Sequence, residues 1–525
     1  AQDEIEKMLD DVTTETNFPI FDDYIKQNYM DNLLRGGYPM ILKGENQNHV
    51  YHLFSRRHGD LERDYNFFSL APEFYSQGNG NFRDVCQNRR NEIFMNPLIE
   101  DFNMKMFVSF IQADGYNPLS INGSTFEIED KEYARNLVTE LFGDDEEFQH
   151  IIGNHFTPGS IINTIANKKI KVDLTDDELF DKIFKYAKQN YEAHFAEGYW
   201  IDHWTYILDL VENYQAVYPD KMKEKLFLDK EFMYFDSPVY ILPRDEKISL
   251  KKDNKIRRFG SLLHNDEEKV EKLDMNVYAS NWLKDENENT IKTNLFGKLF
   301  VLATTKIANL DPYGLGLEME ADKPGWNDAM NGLPGLFGSG VSETIELKRV
   351  VTFLQNNFDS NYDIDVPIEL VKFVEKLVNL LSQDTSDFVY WDKANTYKEI
   401  YRKEIRFYTL GNKSISMDLV KEALNLYAKK LDLAIEKAYE FGNGIYPTYL
   451  VYEVTKFEEI IENGKAKIGN YGLPTVKALE FSMRLLPFYL EAPARALKVM
   501  KDPLEKRKMF EKIKASHIYG YELKF

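Results

Sequence analysis

The sequence predicts a mainly α-helical chain of the helical-toroid kind, and three observations predict it. Apolar residues recur at three- and four-residue spacing along much of the 525 residues. Strand-like material is limited to one stretch near the middle. Long loops, too apolar for solvated linkers, join the periodic segments.

Helical spacing covers 131–142, 175–195, 199–217, 293–309, 343–356, 366–383, 417–440 and 475–490. Start signals accompany it, as in "DLTDDELF" before 178 and "SISMDLV" before 420. The stretch "EFMYFDSPVYILPRDEKISL", 231–250, reads as a β-excursion followed by the basic turn "KKDNKIRRFG". No short repeat recurs at a fixed period, which argues against a solenoid. Residues 1–95 differ in texture: "YHLFSRRHGDLERDYNFF" and "FYSQGNGNFRDVCQNRRNE" mix rings, arginines, aspartates and glycines with little periodicity. They read as a loop-rich segment that lines a cleft.

A net charge of −21 argues against nucleic acid and anionic membranes as partners. The single cysteine, Cys86, allows no internal disulfide and suits a reducing cytoplasm. No apolar run approaches the roughly 20 residues of a membrane span. Aromatic content is 14%, which fits either a ring-rich core or a cleft that stacks sugars.

Most catalytic constellations are missing. His49 and His52, and His194 and His203, lack the carboxylate or thiol partners of a zinc site, so no metal is expected. There is no G-x-S-x-G elbow, and no glycine-rich nucleotide loop follows a strand. What remains is "KPGWNDAMNGLPGLFGSGVSET", Lys323 to Thr344, with five glycines, two prolines and a central Asp328. An acid beside an indole that stacks a sugar and partly desolvates it suits proton donation to a departing glycosidic oxygen. If phosphate is the attacking group, no second carboxylate is needed; arginine, histidine or backbone N–H groups must hold the anion instead.

"GWNDAMN" resembles the W-N-D-x-x-N sequence around the general acid of inverting glycoside phosphorylases of the cellobiose phosphorylase type, and "GNFRDVCQ" resembles their F-R-D-x-x-Q segment. "QADGYNPL", "EGYWIDHWTYILDLVENY" and the glycine-rich loop are similar, more closely still, to the β-1,3-glucan phosphorylases. The matches are scattered from about residue 31 to the end of the chain.

The resemblance implies an (α/α)6 barrel over 1–525 and inverting phosphorolysis of β-glucan oligosaccharides to α-glucose 1-phosphate. No cofactor is implied beyond inorganic phosphate as co-substrate. Asp328 would be the general acid, Trp326 a wall of the donor subsite, and Arg83 and Asp84 ligands of donor hydroxyls, with Asn327 and Gln87 nearby. Glu343, after the glycine-rich loop, is a further cleft residue without an assigned role. In cellobiose-type relatives phosphate is held by a His and a Thr-Gly pair downstream of the acid. Here only His517 follows Asp328, and no Thr-Gly dipeptide occurs. Arg89 and Arg90 are then the candidates for phosphate. The β-sandwich that precedes such barrels is not visible, so the chain reads as part of a longer enzyme, completed by its remaining segments or by a homo-oligomer.

Two alternatives stand beside this reading. An inverting hydrolase would use Glu343, Glu320 or Asp202 as base, roughly 6.5–9.5 Å from the acid. A glucan-binding module would turn over nothing.

Overall fold

The computed structural model describes residues 2–10, 12–53, 73–78, 80–194, 203–258, 260–263, 266–273, 280–320, 335–469 and 471–520. Asp202, Trp326, Asn327 and Asp328 lie outside the described residues.

The centre of the molecule is the helix Leu295–Ile307, "LFGKLFVLATTKI", all of whose residues are buried. A helix buried around its whole circumference and mostly apolar is stable only when surrounded. Its first turn is closed by Asn294, whose side chain accepts the Gly297 N–H. The helix Val341–Asn356 packs against it and in turn against Met417–Phe441, while Ile368–Leu381 packs on Asp387–Glu404. In Ile368–Leu381 the buried residues Leu370, Phe373, Val374, Leu377 and Val378 form the expected apolar stripe.

A second core lies toward the N-terminus. The strand Ser120–Glu127 pairs antiparallel with Lys188–His194, from Ser120 opposite His194 to Glu127 opposite Lys188. Phe126, Phe148, Phe156, Phe180 and Phe184 fill the space between these strands and the helices Lys131–Phe142, Glu146–Ile152, Pro158–Lys168 and Asp176–Ile183. A third layer is an antiparallel sheet in the order Leu317–Glu318, Phe337–Gly340, Tyr449–Glu459, Val476–Leu485.

The (α/α)6 barrel expected from the sequence is therefore corrected. The described residues hold two four-stranded sheets and several two-stranded ones between the helices, a mixed α/β arrangement rather than a clear ring of paired helices. Two segments with helical spacing contribute to the difference. The stretch 175–195 is helical only over Asp176–Ile183, and its second half is the strand Lys188–His194. The stretch 475–490 is the strand Val476–Leu485. There Leu479, Phe481, Met483 and Leu485 also satisfy a period of two, and Phe481 is held between Phe337, Trp391 and Tyr452. Partner strands decide such ambiguous runs. Of the other helical segments, 199–217 is described from 203 on, as the short 3-10 turn His203–Tyr206 and the helix Ile207–Val217, and the rest fold as helices. The stretch 231–250 does contain short strands, among them Tyr240–Ile241 and Ile248–Leu250.

One long helix, Asp387–Glu404, escaped the periodicity because its buried face is partly polar. Beside Tyr390, Trp391, Ala394 and Tyr401 it buries Asn395, Lys398 and Arg402. Polar side chains at core positions cost stability, and they concentrate where a site is built.

Candidate functional site

The segment containing Asp328 connects two paired strands. Leu317 stands opposite Gly340 and Glu318 opposite Ser339. The Met319 N–H donates to the Gly338 carbonyl at 2.8 Å. Whatever path residues 321–334 take, they leave from and return to this two-stranded base.

Asp311 locks the base to the turn before it. Its buried carboxylate accepts the N–H groups of Tyr313, Leu315 and Gly316 at 2.9–3.0 Å and the Ser339 hydroxyl at 2.6 Å. Burial raises its pKa, against the lowering effect of those bonds. Gly316 allows the close approach, because a Cβ there would stand 2.8 Å from Ser339 Oγ. Asp311→Ala is expected to cost about 2–3 kcal/mol by leaving buried donors without an acceptor. Chemical denaturation checks this, and a loss below 0.5 kcal/mol (roughly the scatter of surface substitutions) would remove Asp311 from that role.

At the same base a cationic cluster assembles from separate parts of the chain. Lys247 Nζ meets both oxygens of Glu320 at 2.7 and 2.8 Å. Arg258 lies 3.4 Å from Glu318 and 4.0 Å from Glu320, and its backbone N–H donates to the carbonyl of Gly335 at 2.9 Å. Glu320 and Gly335 flank residues 321–334, so both ends of the Asp328 segment are anchored here. Glu318 also accepts Trp391 Nε1 at 3.0 Å and the Tyr452 hydroxyl at 2.9 Å. Lys398 donates to Asn309 and Asn395. Arg402 reaches the Tyr116 hydroxyl and lies 3.8 Å from Asp114. Lys306 stands 4.8 Å from the centre of the same Tyr116 ring.

Lys247, Arg258, Lys306, Lys398 and Arg402 are all buried. Among the described residues, Glu318, Glu320 and Asp114 are the carboxylates paired with them. Five buried cations thus gather at one place, where desolvation makes each of them expensive. The titrations follow. Burial raises the Glu320 carboxyl, but Lys247 and then Arg258, Lys398 and Arg402 outweigh it and hold the group at about 2. Lys247, fully desolvated, titrates below the ordinary lysine range although Glu320 opposes the shift. Lys398 is brought down to about 7 by burial and then by Arg402. Beside Arg402 a small cavity of about 40 Å³ opens, lined among others by Gln112, Asp114, Asp236, Tyr240 and Arg406. Gln112 and Asp114 come from "QADGYNPL".

The Phe-Arg-Asp sequence opens the helix Phe82–Arg89, capped by Asn81, whose side chain accepts the Arg83 N–H at 3.0 Å. Arg83 Nε pairs with Asp84 at 3.1 Å, both largely buried, so these two expected donor ligands stand together. Gln87 is half-buried on the next turn. The helix packs on the turn His203–Tyr206, whose Trp204 ring lies 6.0 Å from Lys306 Nζ. That contact joins it to the cationic cluster.

Arg89 and Arg90 are turned to other work. Arg89 is buried and donates to the Gly36 carbonyl at 2.7 Å; burial brings its pKa down to about 10. Arg90 lies 3.4 Å from Asp209 and stacks over Tyr206. Glu343 is buried in the first turn of Val341–Asn356. It sits so close to Gly340 that a Cβ there would fall 1.9 Å from its Oε2. Of the histidines, His52 meets Glu92 at 3.0 Å and His49 the Phe184 carbonyl at 3.3 Å. Cys86 is buried, which pushes its thiol up.

Sequence reasoning missed Lys247, Arg258, Lys306, Lys398 and Arg402. One sign was present: Lys398 and Arg402 stand four apart, on the face that also carries Tyr390, Trp391, Ala394 and Tyr401. No family model matches this chain, and no curated protein matches it either.

Proposed function

We propose that the chain carries the catalytic region of an inverting phosphorylase acting on β-glucan oligosaccharides, with β-1,3 linkages preferred. The observation that supports this reading is the convergence of five buried cations at the foot of the segment holding Trp326, Asn327 and Asp328. An anionic nucleophile needs such charge, and charge-assisted bonds from arginine and lysine are the strong ones. Water needs a base instead. Glu320, one carboxylate a hydrolase would recruit, is tied to Lys247 and too weakly basic at about 2 for that task.

In this reading a phosphate oxygen attacks C1 from the face opposite the leaving group. The bond from C1 to the glycosidic oxygen breaks, its electrons stay on that oxygen, and Asp328 supplies the proton. The products are α-glucose 1-phosphate and a chain shortened by one sugar. Asp84, held by Arg83, bonds donor hydroxyls, and those bonds strengthen as the ring becomes oxocarbenium-like. The cationic cluster holds phosphate. Net acidity and one buried cysteine lead us to assign the protein to the cytoplasm; among the described residues no helix is long and apolar enough to cross a membrane.

The deciding experiment incubates protein from the complete reading frame with β-1,3-linked gluco-oligosaccharides, with and without phosphate. Release of α-glucose 1-phosphate only when phosphate is present is expected. Glucose release indifferent to phosphate, or binding without turnover, overturns the proposal.

Lys398 makes the reaction pH-sensitive. A bound anion favours its ammonium form, so above pH 7 phosphate binding must take up a proton. Phosphate affinity is expected to fall as pH rises above 7, by up to about tenfold per unit. The KM for phosphate, followed from pH 7 to 9, reads this directly. A flat profile removes Lys398 from the phosphate site. The sign for stability is the opposite: the unfolded chain binds more protons between about 7 and 10.5, so this lysine penalises folding less as pH rises through that window.

A further inference from the structure

The helix Pro19–Gly36 places Ile25, Asn28, Tyr29, Asn32 and Leu33 at three- and four-residue spacing, which is one face. That face lines an open groove of about 410 Å³, and the opposite wall comes from residues 38–39 and 88–96. The volume falls within the ~300–1,000 Å³ of small-ligand sites.

The lining is unusual in kind. Five side chains are asparagines, at 28, 32, 88, 91 and 96, and two are tyrosines, Tyr29 and Tyr38. Among the described lining residues there is no lysine, arginine or histidine. The one carboxylate, Glu92, is buried and bound by His52 and Asn103. Asn32 Nδ2 donates to Asn28 Oδ1 at 3.1 Å, and Asn91 Oδ1 accepts from Asn213 at 3.0 Å. Those bonds orient the amides while leaving each a second polar atom. Each carboxamide offers a donor and an acceptor side by side, which matches the vicinal hydroxyls of a pyranose, and a phenol ring offers a flat apolar face for its C–H side. An anionic ligand would find no counter-charge here. A docked helix would want an unbroken apolar stripe, which the amides interrupt.

We infer that this groove binds a neutral oligosaccharide chain, apart from the bond-breaking centre. The chemistry of the lining sets the ligand class; that the sugar is a β-glucan rests on the function proposed above. The helix that carries Arg83 and Asp84 at its start carries Asn88 near its end, so the same element would serve donor subsite and groove. A long chain anchored here would be used better than a short one.

The test titrates a β-1,3-linked glucose hexamer into the wild-type protein and an Asn32→Ala/Asn88→Ala variant by calorimetry, and measures kcat/KM for a dimer and the hexamer. Both asparagines are partly exposed, and an unchanged thermal melt verifies the fold. Loss of two amide contacts is expected to weaken hexamer binding by about tenfold, and to lower kcat/KM for the hexamer while leaving the dimer unaffected. If phosphorolysis is absent but the hexamer binds and the variant loses it, the groove stands and the enzymatic reading fails. If phosphorolysis proceeds and the variant binds and discriminates chain length as wild type does, the groove reading is overturned. A wild-type protein that takes up no hexamer at millimolar concentration, for instance because a protein segment covers the groove, overturns it as well.

Discussion

Asp328→Asn is expected to lower phosphorolysis of a β-glucan oligosaccharide by roughly 10²–10⁴-fold, the usual contribution of general-acid assistance, with glucan affinity nearly unchanged. An amide has the size of the acid and lacks its proton. The loss should shrink for a substrate whose leaving group departs without protonation, because that step no longer needs the acid. Kinetics on both substrates therefore separate lost chemistry from lost folding. A variant that keeps more than half the wild-type rate on the natural substrate would exclude Asp328 as the proton donor. The expectation draws on the sequence around Asp328 and on the anchoring of its neighbours: Gly335 to Arg258, and the strands at 317–318 and 337–340 to Asp311.

Glu320→Ala is the substitution expected to cost the most stability, about 3–5 kcal/mol, the range for removing one partner of a buried ion pair. The carboxylate is bound by Lys247 through both oxygens and is felt by Arg258, Lys398 and Arg402. Without it these buried cations repel one another. The pH dependence carries a definite sign. Glu320 is depressed from the ordinary 4.5 to about 2 in the folded protein. Its stabilisation is fully present above about 4.5 and drains away as pH falls toward 2. Denaturant titrations from pH 3 to 7 should show wild type losing stability on the acid side and the variant losing less. Replacing Lys247 and Glu320 together by methionine should recover much of the loss, since a buried pair exchanged for apolar volume is often neutral. A single variant within 1 kcal/mol of wild type, as for exposed pairs, would show that the cluster is not the tight electrostatic unit its geometry describes.

Much of the helical scaffold was legible without coordinates because its cause is local. Leu295–Ile307 is largely apolar and capped by Asn294, and Ile368–Leu381 carries one apolar stripe at a period of 3.6. The sequence around Asp328 reads as a shaped loop with an acid and an indole; residues 321–334 lie outside the described residues, and only the strands on either side are seen. The barrel was not legible, for a reason visible in Lys188–His194 and Val476–Leu485. Their spacing fits a helix or a strand, and only the partners, Ser120–Glu127 and Tyr449–Glu459, settle which forms.

The sequence by itself determined the helices whose periodicity is unambiguous, the acidic charge balance and the single thiol. The tertiary structure alone decided where the charges went. Arg89 and Arg90 share a run that looks like an anion site, yet they bind Gly36 and Asp209. Lys247, Arg258, Lys398 and Arg402 come from three separate stretches and converge on Glu318 and Glu320. Hydrophobic periodicity is written in neighbouring residues, whereas desolvation and Coulomb interaction depend on distances between residues far apart in the chain. A lysine that titrates near 7 therefore looks, in the sequence, like any other lysine.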